Sequence, residues 1–515
     1  MDAVTDAAEP LQDLVDHARH TRVVVIGGGI AGLVAAWECA KVGMAVTVVE
    51  ASARLGGTIA STQLGGRAVE VGATCWSTRG GAVRRLVDEV LPDAAIVRPR
   101  DDSDWIGGLA KGAAAPLPVE QVLGIPANPW DESVRRIIGW GGTWRAYLDR
   151  LRPPLTIGTQ RSLGRLVRGR MGDKVRDRLV APLTVDRFGL LPEDVDVEVA
   201  APGLSTALTR TGWLGGAVAD VRVDGGGPTI EGLEGGMPLL VAALRERLAE
   251  RVVEIRTGAR ATRLARSDGG WIVELDGGAG ANAAADVVPA AAAGGADSET
   301  PGPLAADALV IATDEAAARS LLGPVLGDPA FAQASPAGVA REVVTLLVEA
   351  RALDGGPRGV HLHAVPGSSR ATGLVHETAR WEWLARDLGP GRHLLRVAFG
   401  GSSPSDGPAP ATAGLSDAEA ARIAAAEASA LLGVRLGEDR VIDAHCASYT
   451  LVPPASKIGH RERTAEVRTA IGRAPGIAAV GAWLSGSGLA QVVADAHEET
   501  DRLRRAVLWG GSAAR

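Results

Sequence analysis

Two kinds of apolar pattern open the chain. The short β-branched run Arg22–Ile26, followed at once by glycines, is typical of a buried parallel strand. Apolar residues then return at spacings near 3.6 and predict a helix over about 30–42, after which Ala45–Glu50 is expected to be a second strand. Strand, helix and strand together predict one βαβ unit.

Further along, helical and strand-like stretches alternate. The segment from about 101 to 228 carries many Arg and Trp residues, and its apolar spacing is mostly helical. Residues 277–306 are mostly Ala, Gly, Pro and Asp without usable periodicity, so we expect a flexible insertion there. The individual stretches predict helices over 132–150, 162–180, 238–251 and 488–505, strands over 254–256, 308–312, 342–348, 393–399 and 476–481, and a hairpin over 261–276.

A glycine motif lies between the first strand and the first helix. Gly27, Gly29 and Gly32 have the GxGxxG spacing that permits a tight turn, a close phosphate approach and close packing of helix on strand. Glu50 ends the second strand, where a carboxylate can bind the hydroxyls of an unphosphorylated ribose. The dinucleotide-binding residues predicted from this unit are Gly27, Gly29, Ile30, Ala31, Gly32 and Glu50.

The residues after Glu50 indicate which dinucleotide is bound. Arg54-Leu-Gly-Gly-Thr58 follows the acid, and the arrangement resembles the Glu-x(3)-Arg-x-Gly-Gly element of the amine oxidase, phytoene desaturase and protoporphyrinogen oxidase superfamily. Residues 70–73 continue the same family pattern. Arg54 as an ordinary solvated arginine is the alternative. The resemblance implies FAD as the cofactor, held by Arg54, Gly56, Gly57, Thr58, Gly72 and Ala73.

The end of the chain carries a second family-like segment. Residues 480–489 resemble the C-terminal flavin-binding segment of this superfamily, and the helix that follows would direct its positive end at the cofactor. A structural glycine turn before a terminal helix is the alternative. The resemblance implies FAD contacts by Gly481, Trp483, Ser487, Gly488 and Leu489.

The motifs and patterns together predict interleaved domains and an α/β fold, α+β overall. A Rossmann-like FAD-binding domain, with a βαβ unit like that of glutathione reductase, is expected from 20–100, 229–335 and 472–512. A mostly helical module is expected from 101–228, and a substrate-binding domain with a β-sheet from 336–471.

Four segments resemble one branch of the superfamily, the porphyrinogen oxidases, and in particular the bacterial type that acts on coproporphyrinogen III. They are 117–118 with 124–126, 231–240, 376–384 and 458–460. The resemblance implies oxidation of a porphyrinogen to a porphyrin in three flavin cycles. In each cycle hydride passes to flavin N5 and two electrons then pass to O2, which releases peroxide. Because the flavin carries this chemistry, no catalytic side chain is assigned. Substrate carboxylates need cations, and Arg380, Arg396 and Lys457 are the candidates.

Two segments depart from the family pattern. The family has a glycine-rich stretch with a tyrosine where this chain has 181–190, and Arg-Trp and Leu-Pro-Gln-Tyr runs where this chain has 448–449 and 453–456. Three functional hypotheses therefore stay open: a porphyrinogen oxidase of heme biosynthesis, an amine oxidase or desaturase on the same fold, and an FAD-binding protein without catalysis. Cys446 is a candidate for covalent flavin attachment in the second of these.

Histidines and tryptophans add no further cofactor. His361 and His363 share one strand face, but the neighbouring sequence offers no acidic or cysteine partner, so no metal site is predicted. Trp130, Trp140 and Trp144 have helical spacing, which is typical of a core and also suits an apolar pocket for a planar substrate.

Composition limits location and partners. The 54 basic and 61 acidic residues give a net charge of −7 without a dense basic run, which argues against nucleic acid. Three unpaired-looking cysteines, an acidic start and no long apolar run favour a cytoplasmic protein without a transmembrane segment. Peripheral membrane contact and the oligomeric state stay open.

Overall fold

The computed structural model of this chain describes residues 9–100, 103–152, 160–224, 229–276, 302–332, 338–401 and 409–509. Two sheets and a group of helices form its framework. The predicted α/β fold with a parallel sheet is confirmed, and strands from distant parts of the chain pair side by side within it. Most of the expected insertion, 277–301, lies outside the described residues.

A five-stranded parallel sheet carries the first βαβ unit. The predicted strand Arg22–Ile26 and the second strand Ala45–Glu50 pair in parallel register, with Val24 opposite Thr47. Because both faces are covered, the strands are continuous β-branched runs rather than alternating ones. In spatial order the strands are Glu254–Thr257, Ala45–Glu50, Arg22–Ile26, Ala308–Ile311 and Ile477–Ala479.

Helices and a small sheet cover the two faces of this sheet. Each layer contributes to a separate apolar cluster, so both sides of the strands are buried. On one face lie the helices Ile30–Ala40, Ala82–Val90, Pro238–Glu250 and Leu489–Trp509. On the other face lie the strands Arg260–Ser267, Gly270–Asp276 and Leu304–Ala306 and the helices Glu315–Leu326, Pro329–Ala332, His460–Gly472 and Ala482–Ser485.

A seven-stranded mixed sheet forms the second layer of the molecule. One of its faces packs on the helix Asp417–Leu432, which begins at a capping box of Ser416 and Glu419. The other face is more polar and carries histidine and arginine side chains. In spatial order the strands are Val441–Leu451, Val339–Glu349, Arg392–Gly400, Ala371–His376, His361–Ala364, Asp104–Leu109 and Ala113–Pro116.

The helical module has its own core, which includes Leu163, Leu183 and Leu214. Its helices and turns are Glu132–Tyr147, Leu148–Leu151, Leu163–Met171, Asp173–Val175, Arg176–Val180, Ala181–Phe188, Pro192–Asp194, Val197–Ala200, Leu204–Thr211 and Leu214–Asp224. Shorter elements connect the layers: the helices Glu9–His20, Glu377–Arg380 and Glu382–Leu388, the hairpins Ser61–Leu64 with Arg67–Glu70 and Gln121–Val122 with Ile125–Pro126, the strands Trp76–Ser77, Ile96–Val97 and Ile230–Leu233, and the turns Arg79–Gly81, Ala110–Gly112, Arg351–Leu353 and Glu438–Arg440.

Three expected boundaries differ from the structure. The strands Asp104–Leu109 and Ala113–Pro116 were expected in the helical module, but they extend the seven-stranded sheet. The helix His460–Gly472 was expected in the substrate domain, but it packs on the parallel sheet. The strand Leu304–Ala306 pairs with Trp271–Val273, so the flexible insertion does not reach 306. Short-range patterns find these elements, but long-range pairing decides which sheet they join.

Among the described helices, none combines the length and the apolar character that a bilayer span requires.

Candidate functional site

The carboxyl ends of the parallel strands meet at one edge of the five-stranded sheet, which we call the dinucleotide edge. Gly27 leaves the first strand at φ +113, and a Cβ there would lie 2.5 Å from the Ala312 oxygen. A Cβ at Gly32 would lie 1.8 Å from the Gly27 oxygen. Such distances exclude any side chain, so close approach of backbone to backbone explains both glycines.

Gly29 begins the helix Ile30–Ala40 without any side-chain cap. The first N–H groups of a helix have no intrahelical acceptor, and the helix dipole favours an anion in front of them. A Cβ at Gly29 would be no closer than 3.9 Å to the Gly57 Cα, so the space in front of the helix is open. Ile30 and Ala31 have buried side chains and offer only their backbone. This arrangement fits the pyrophosphate of a dinucleotide.

Glu50 lies beside the glycine turn. Its carboxylate accepts hydrogen bonds from the Gly28 N–H at 2.6 Å and the Ser52 N–H at 2.8 Å. Each carboxylate oxygen can accept more than one hydrogen bond, so both keep capacity for a hydroxyl group. Binding of ribose by Glu50 stays a prediction, and the position at the strand end is the one it requires.

The loop 54–58 returns to the glycine turn. The Gly56 N–H donates to the Gly28 oxygen at 2.9 Å, and Gly56 and Gly57 both have positive φ. A Cβ at Gly72 would lie 1.7 Å from the Thr58 oxygen, and the Ala73 N–H donates to the same oxygen at 3.0 Å. The structure therefore brings together the segments around Gly27, Glu50, Arg54 and Gly72, which the motifs had predicted as one site.

The C-terminal segment reaches the same edge. The Val480 N–H donates to the Ile311 oxygen at 2.9 Å, and Gly481 follows at φ +127. The indole of Trp483 packs in the core, 2% exposed, and its Nε1 has no hydrogen-bond partner among the described residues. Contact of Trp483 with the cofactor stays a prediction. Ser487, Gly488 and Leu489 lie at the start of the long final helix, as predicted.

The seven-stranded sheet touches the dinucleotide edge at the carbonyl of Val71. Arg396 donates an Nη2 hydrogen bond to this oxygen at 2.9 Å, and the Tyr449 hydroxyl also donates to it. A second guanidinium nitrogen of Arg396 lies 3.4 Å from Glu377, whose side chain is 3% exposed. Arg396 therefore connects the polar sheet face with the loop next to Gly72. Tyr449, in a segment that departs from the family pattern, thus contacts the same loop.

The other two candidate cations lie in different places. Arg380 is buried at the end of a short helix, and its positive charge, like that of Arg396, opposes the rise that burial causes in the pKa of the Cys75 thiol. Arg380 and Arg396 thus share the surroundings of Cys75. Lys457 lies at another contact, where its backbone pairs with Val195 of the helical module.

Glu70 is a partly buried carboxyl at the junction of the two sheets. It accepts a 2.6 Å hydrogen bond from the Met237 N–H. Burial raises the pKa of Glu70 to about 7, and the negative charge of Glu377 adds to the rise, whereas the Met237 bond and Arg396 oppose it. Glu70 is thus a carboxyl that gains or loses a proton near neutral pH beside the predicted cofactor loop.

His361 and His363 lie among acids that the local sequence did not reveal. The Asp186 Oδ2 lies 2.7 Å from His361 Nε2 and 2.8 Å from His363 Nδ1, and the Asp104 Oδ1 lies 3.3 Å from His363 Nε2. Burial lowers the pKa of His361 to about 4. Burial also acts to lower the pKa of His363, but the hydrogen bonds with Asp104 and Asp186 raise it above its ordinary value.

The position of Cys446 does not support a covalent bond between its thiol and the flavin. It pairs with Val344 and packs beside the apolar cluster under the helix Asp417–Leu432, so its side chain is on the sheet face away from Val71. Its backbone N–H donates to Asp417. Burial and the charges of Glu342 and Asp417 raise the pKa of its thiol to about 11. A protonated thiol is a poor nucleophile.

The tryptophan cluster lies at the surface and not in the core. Trp140 and Trp144 are 63% and 55% exposed. Trp130 packs edge-on against Trp144, with ring centroids 4.9 Å apart. Helical spacing predicted that these rings share a side of the helix, but it did not show that this side faces solvent.

Comparison with known proteins places this arrangement in a family. The profile of the flavin containing amine oxidoreductases matches residues 30–499, a span that begins at the first helix of the dinucleotide edge and includes the seven-stranded sheet. The chain belongs to this family. It is therefore a flavin-dependent oxidoreductase with FAD as its cofactor. The resemblance to the amine oxidase superfamily that the sequence motifs indicated is confirmed.

Similar proteins point to one branch of the family. A coproporphyrinogen III oxidase of Mycobacterium tuberculosis (strain ATCC 25618 / H37Rv) is 28% identical over 484 residues, 90% of this chain and 93% of that protein. A protein of the same name from Propionibacterium freudenreichii is 27% identical over 200 residues, 39% of this chain and only 37% of that protein. A solved structure from Exiguobacterium sp. 255-15, with a provisional protoporphyrinogen oxidase name, has a TM-score of 0.73 at 22% identity and covers 94% of this chain and 99% of that one.

Sequence reasoning predicted the backbone segments of the dinucleotide edge and missed side chains of the polar sheet face. Glu377 approaches Arg396 across two consecutive strands, whereas Asp104 approaches His363 only because strands far apart in the chain pair in the sheet. Asp186 lies 175 residues before His361. The one sequence signal that pointed to it was the departure of 181–190 from the family pattern.

Proposed function

We propose that this oxidoreductase converts a porphyrinogen to the porphyrin, with coproporphyrinogen III as the first candidate substrate and protoporphyrinogen IX as the second. Molecular oxygen would be the electron acceptor, hydrogen peroxide the second product, and heme biosynthesis the pathway. The proposal is supported most by the similarity to the mycobacterial coproporphyrinogen III oxidase, which extends over 90% of this chain and 93% of that protein. A cytoplasmic location stays a prediction.

The chain supplies the parts that such a reaction needs from protein. The helix beginning at Ile30 offers N–H groups to the pyrophosphate, and Glu50 offers a carboxylate to the ribose. FAD, when bound, supplies the acceptor for hydride from the substrate. The propionate groups of a porphyrinogen require cations, and a guanidinium can hold a carboxylate with two parallel hydrogen bonds. Arg396 donates a hydrogen bond to the oxygen of Val71, the residue directly before Gly72 of the predicted cofactor site.

The position of Arg396 is the observation that most supports binding of the substrate at the polar face of the seven-stranded sheet. Thr345 and Arg396 lie on one polar row across the sheet, because the two residues pair on neighbouring strands. The Thr345 hydroxyl is fully buried and has no hydrogen-bond partner among the described residues. A polar row that begins beside the cofactor loop suits a substrate with an apolar ring and acidic edges.

The direct test is aerobic incubation of the purified, FAD-replete protein with coproporphyrinogen III and, separately, with protoporphyrinogen IX. Porphyrin fluorescence and peroxide should rise above the autoxidation control, and the faster substrate identifies the natural class. Arg396→Gln should lower kcat/KM about 10- to 100-fold, the loss of one charged hydrogen bond, in protein that retains FAD. Arg370→Gln is the matched control, because Arg370 pairs with Glu427 at the exposed edge.

A flat fluorescence trace from protein with full FAD content would contradict the proposal. Turnover of an amine under the same conditions would instead favour an amine oxidase. No turnover of either class would favour a flavoprotein without catalysis, which was the third hypothesis from the sequence.

A further inference from the structure

Asp104, His361, His363 and Asp186 form a compact group that the proposed oxidation does not use, and we call it the histidine–aspartate cluster. Two adjacent strands carry the first three residues, since His361 lies directly opposite Asp104 in the parallel pair of Asp104–Leu109 with His361–Ala364. The helix Ala181–Phe188 contributes Asp186 from the helical module. The cluster therefore lies where the module meets the sheet.

Three of these side chains have the spacing of ligands around one small cation. One ligand atom each from Asp104, His361 and His363 lie within 4.8 Å of one another. The Asp104 Oδ1 lies 3.3 Å from His363 Nε2 and 3.6 Å from His361 Nδ1. Tetrahedral zinc with bonds of about 2.0–2.1 Å has ligand atoms about 3.3–3.4 Å apart. Two imidazoles and one carboxylate, with a fourth position for water, are a zinc ligand set.

Asp186 holds the outer nitrogens of both rings. Its Oδ2 lies 2.7 Å from His361 Nε2 and 2.8 Å from His363 Nδ1, so both ring nitrogens that face away from Asp104 have a carboxylate acceptor. A carboxylate in this position fixes the tautomer of a metal-binding histidine and leaves the inner nitrogen with its lone pair. One oxygen thus orients both rings toward the same point.

Two arginines outside the cluster pair with the remaining oxygens of the two carboxylates. Arg187 contacts the Asp104 Oδ2, and Arg341 Nη2 lies 2.6 Å from the Asp186 Oδ1. This leaves Asp104 Oδ1 as the oxygen directed at the two histidines. Access is available from one side, because the side chains of His361 and Asp104 are 16% and 19% exposed while that of His363 is fully buried.

We propose that Asp104, His361 and His363 bind one divalent transition-metal ion, zinc in the first instance, with Asp186 orienting the two histidines. A metal there would fasten the helical module to the seven-stranded sheet, since its ligands and their orienting carboxylate come from both. The proposed metal site is separate from the dinucleotide edge, and metal binding there is independent of the substrate and of the oxidation.

The test uses the full-length, FAD-loaded protein after chelator treatment and dialysis. Titration with zinc chloride by calorimetry should show one equivalent bound, and the thermal unfolding midpoint should rise on zinc addition. Cobalt(II) titration should give the intense visible bands of a tetrahedral site without a thiolate charge-transfer band, which separates this site from binding to the three cysteines. The cobalt spectrum of the unmodified protein needs no variant that could misfold.

Single variants then assign the ligands. Asp104→Asn, His361→Gln and His363→Gln should each remove the bound equivalent, whereas Asp186→Asn should weaken binding about 10- to 100-fold without removing it. His445→Gln is the matched control, because His445 lies near Asp417 on the same sheet but outside the cluster. Flavin content and far-UV circular dichroism check that each variant is folded.

Two results would overturn the proposal. One is the absence of stoichiometric zinc or cobalt binding to the unmodified protein, which would make the cluster a buried ion-pair network only. The other is binding that persists equally in the three ligand variants, which would place the metal elsewhere. Both readouts are independent of enzyme activity.

Discussion

The dinucleotide edge and the polar face of the seven-stranded sheet are built by opposite means. At the edge, glycines let backbone approach backbone, and the groups offered to a ligand are N–H donors at a helix start. On the sheet face, buried charges pair with one another, as Arg396 does with Glu377 and Arg341 with Asp186. A backbone site tolerates few changes of shape, whereas a charge network tolerates few changes of charge.

The largest effect on stability is expected from Arg396→Met. The substitution keeps an apolar stem but leaves the Glu377 carboxylate buried without its partner, which should lower the free energy of unfolding by about 3–5 kcal/mol. Urea unfolding of the flavoprotein measures this loss. Adding Glu377→Gln should recover part of it, because the buried charge disappears. The exposed pair of Arg263 with Glu274 is the control: Arg263→Met should cost at most about 1 kcal/mol. Equal losses for both arginines would remove the distinction between the network and an ordinary surface pair.

The pH dependence of stability tests the role of Glu70, which lies at the junction of the two regions. Its pKa in the folded state is about 7, above the 4.5 of an ordinary glutamate, so the folded state holds an extra proton between these values. Stability should therefore fall as pH rises from about 4.5 to about 7, by up to about 3 kcal/mol. Glu70→Gln should flatten this slope, since the amide oxygen can still accept from the Met237 N–H. Urea midpoints across this pH range measure the effect, and an unchanged slope in the variant would assign it to other groups.

Gly29→Ala tests the backbone side of the comparison. Gly29 has an ordinary φ of −72, and its nearest neighbour would be 3.9 Å from the new methyl group, so the protein should fold normally. The methyl would occupy the space in front of the helix start, and FAD affinity should fall at least about tenfold, or about 1.4 kcal/mol. Fluorescence titration of the apoprotein with FAD gives the affinity. Gly472→Ala, which has open space around it, is the control. Unchanged FAD affinity in Gly29→Ala would mean that the pyrophosphate lies elsewhere.

The smallest effect is expected from Tyr449→Phe. The Val71 oxygen loses one donor but keeps Arg396, so the cost should stay near or below about 1 kcal/mol. Thermal unfolding is sensitive enough to detect it. A loss as large as that of Arg396→Met would show that Tyr449 has a role that the hydrogen bond alone does not explain.

The same contrast explains what the sequence could predict. The edge was predictable because GxGxxG, Glu50 and the loop 54–58 lie within about one βαβ unit, where local spacing fixes geometry. Resemblance added Gly72 and the segment from Gly481. The sheet face was not predictable, because Asp104, Asp186 and His361 meet only through strand pairing and docking of the helical module.

The most direct test of the central claim, that the FAD held at the dinucleotide edge oxidises a porphyrinogen, is anaerobic rapid mixing of the oxidised flavoprotein with coproporphyrinogen III. We expect loss of the visible flavin absorbance together with a rise of oxidised tetrapyrrole in the same mixing trace, and return of the flavin absorbance when oxygen is admitted. Unchanged flavin absorbance with both porphyrinogens, in protein that is fully loaded with FAD, would contradict it.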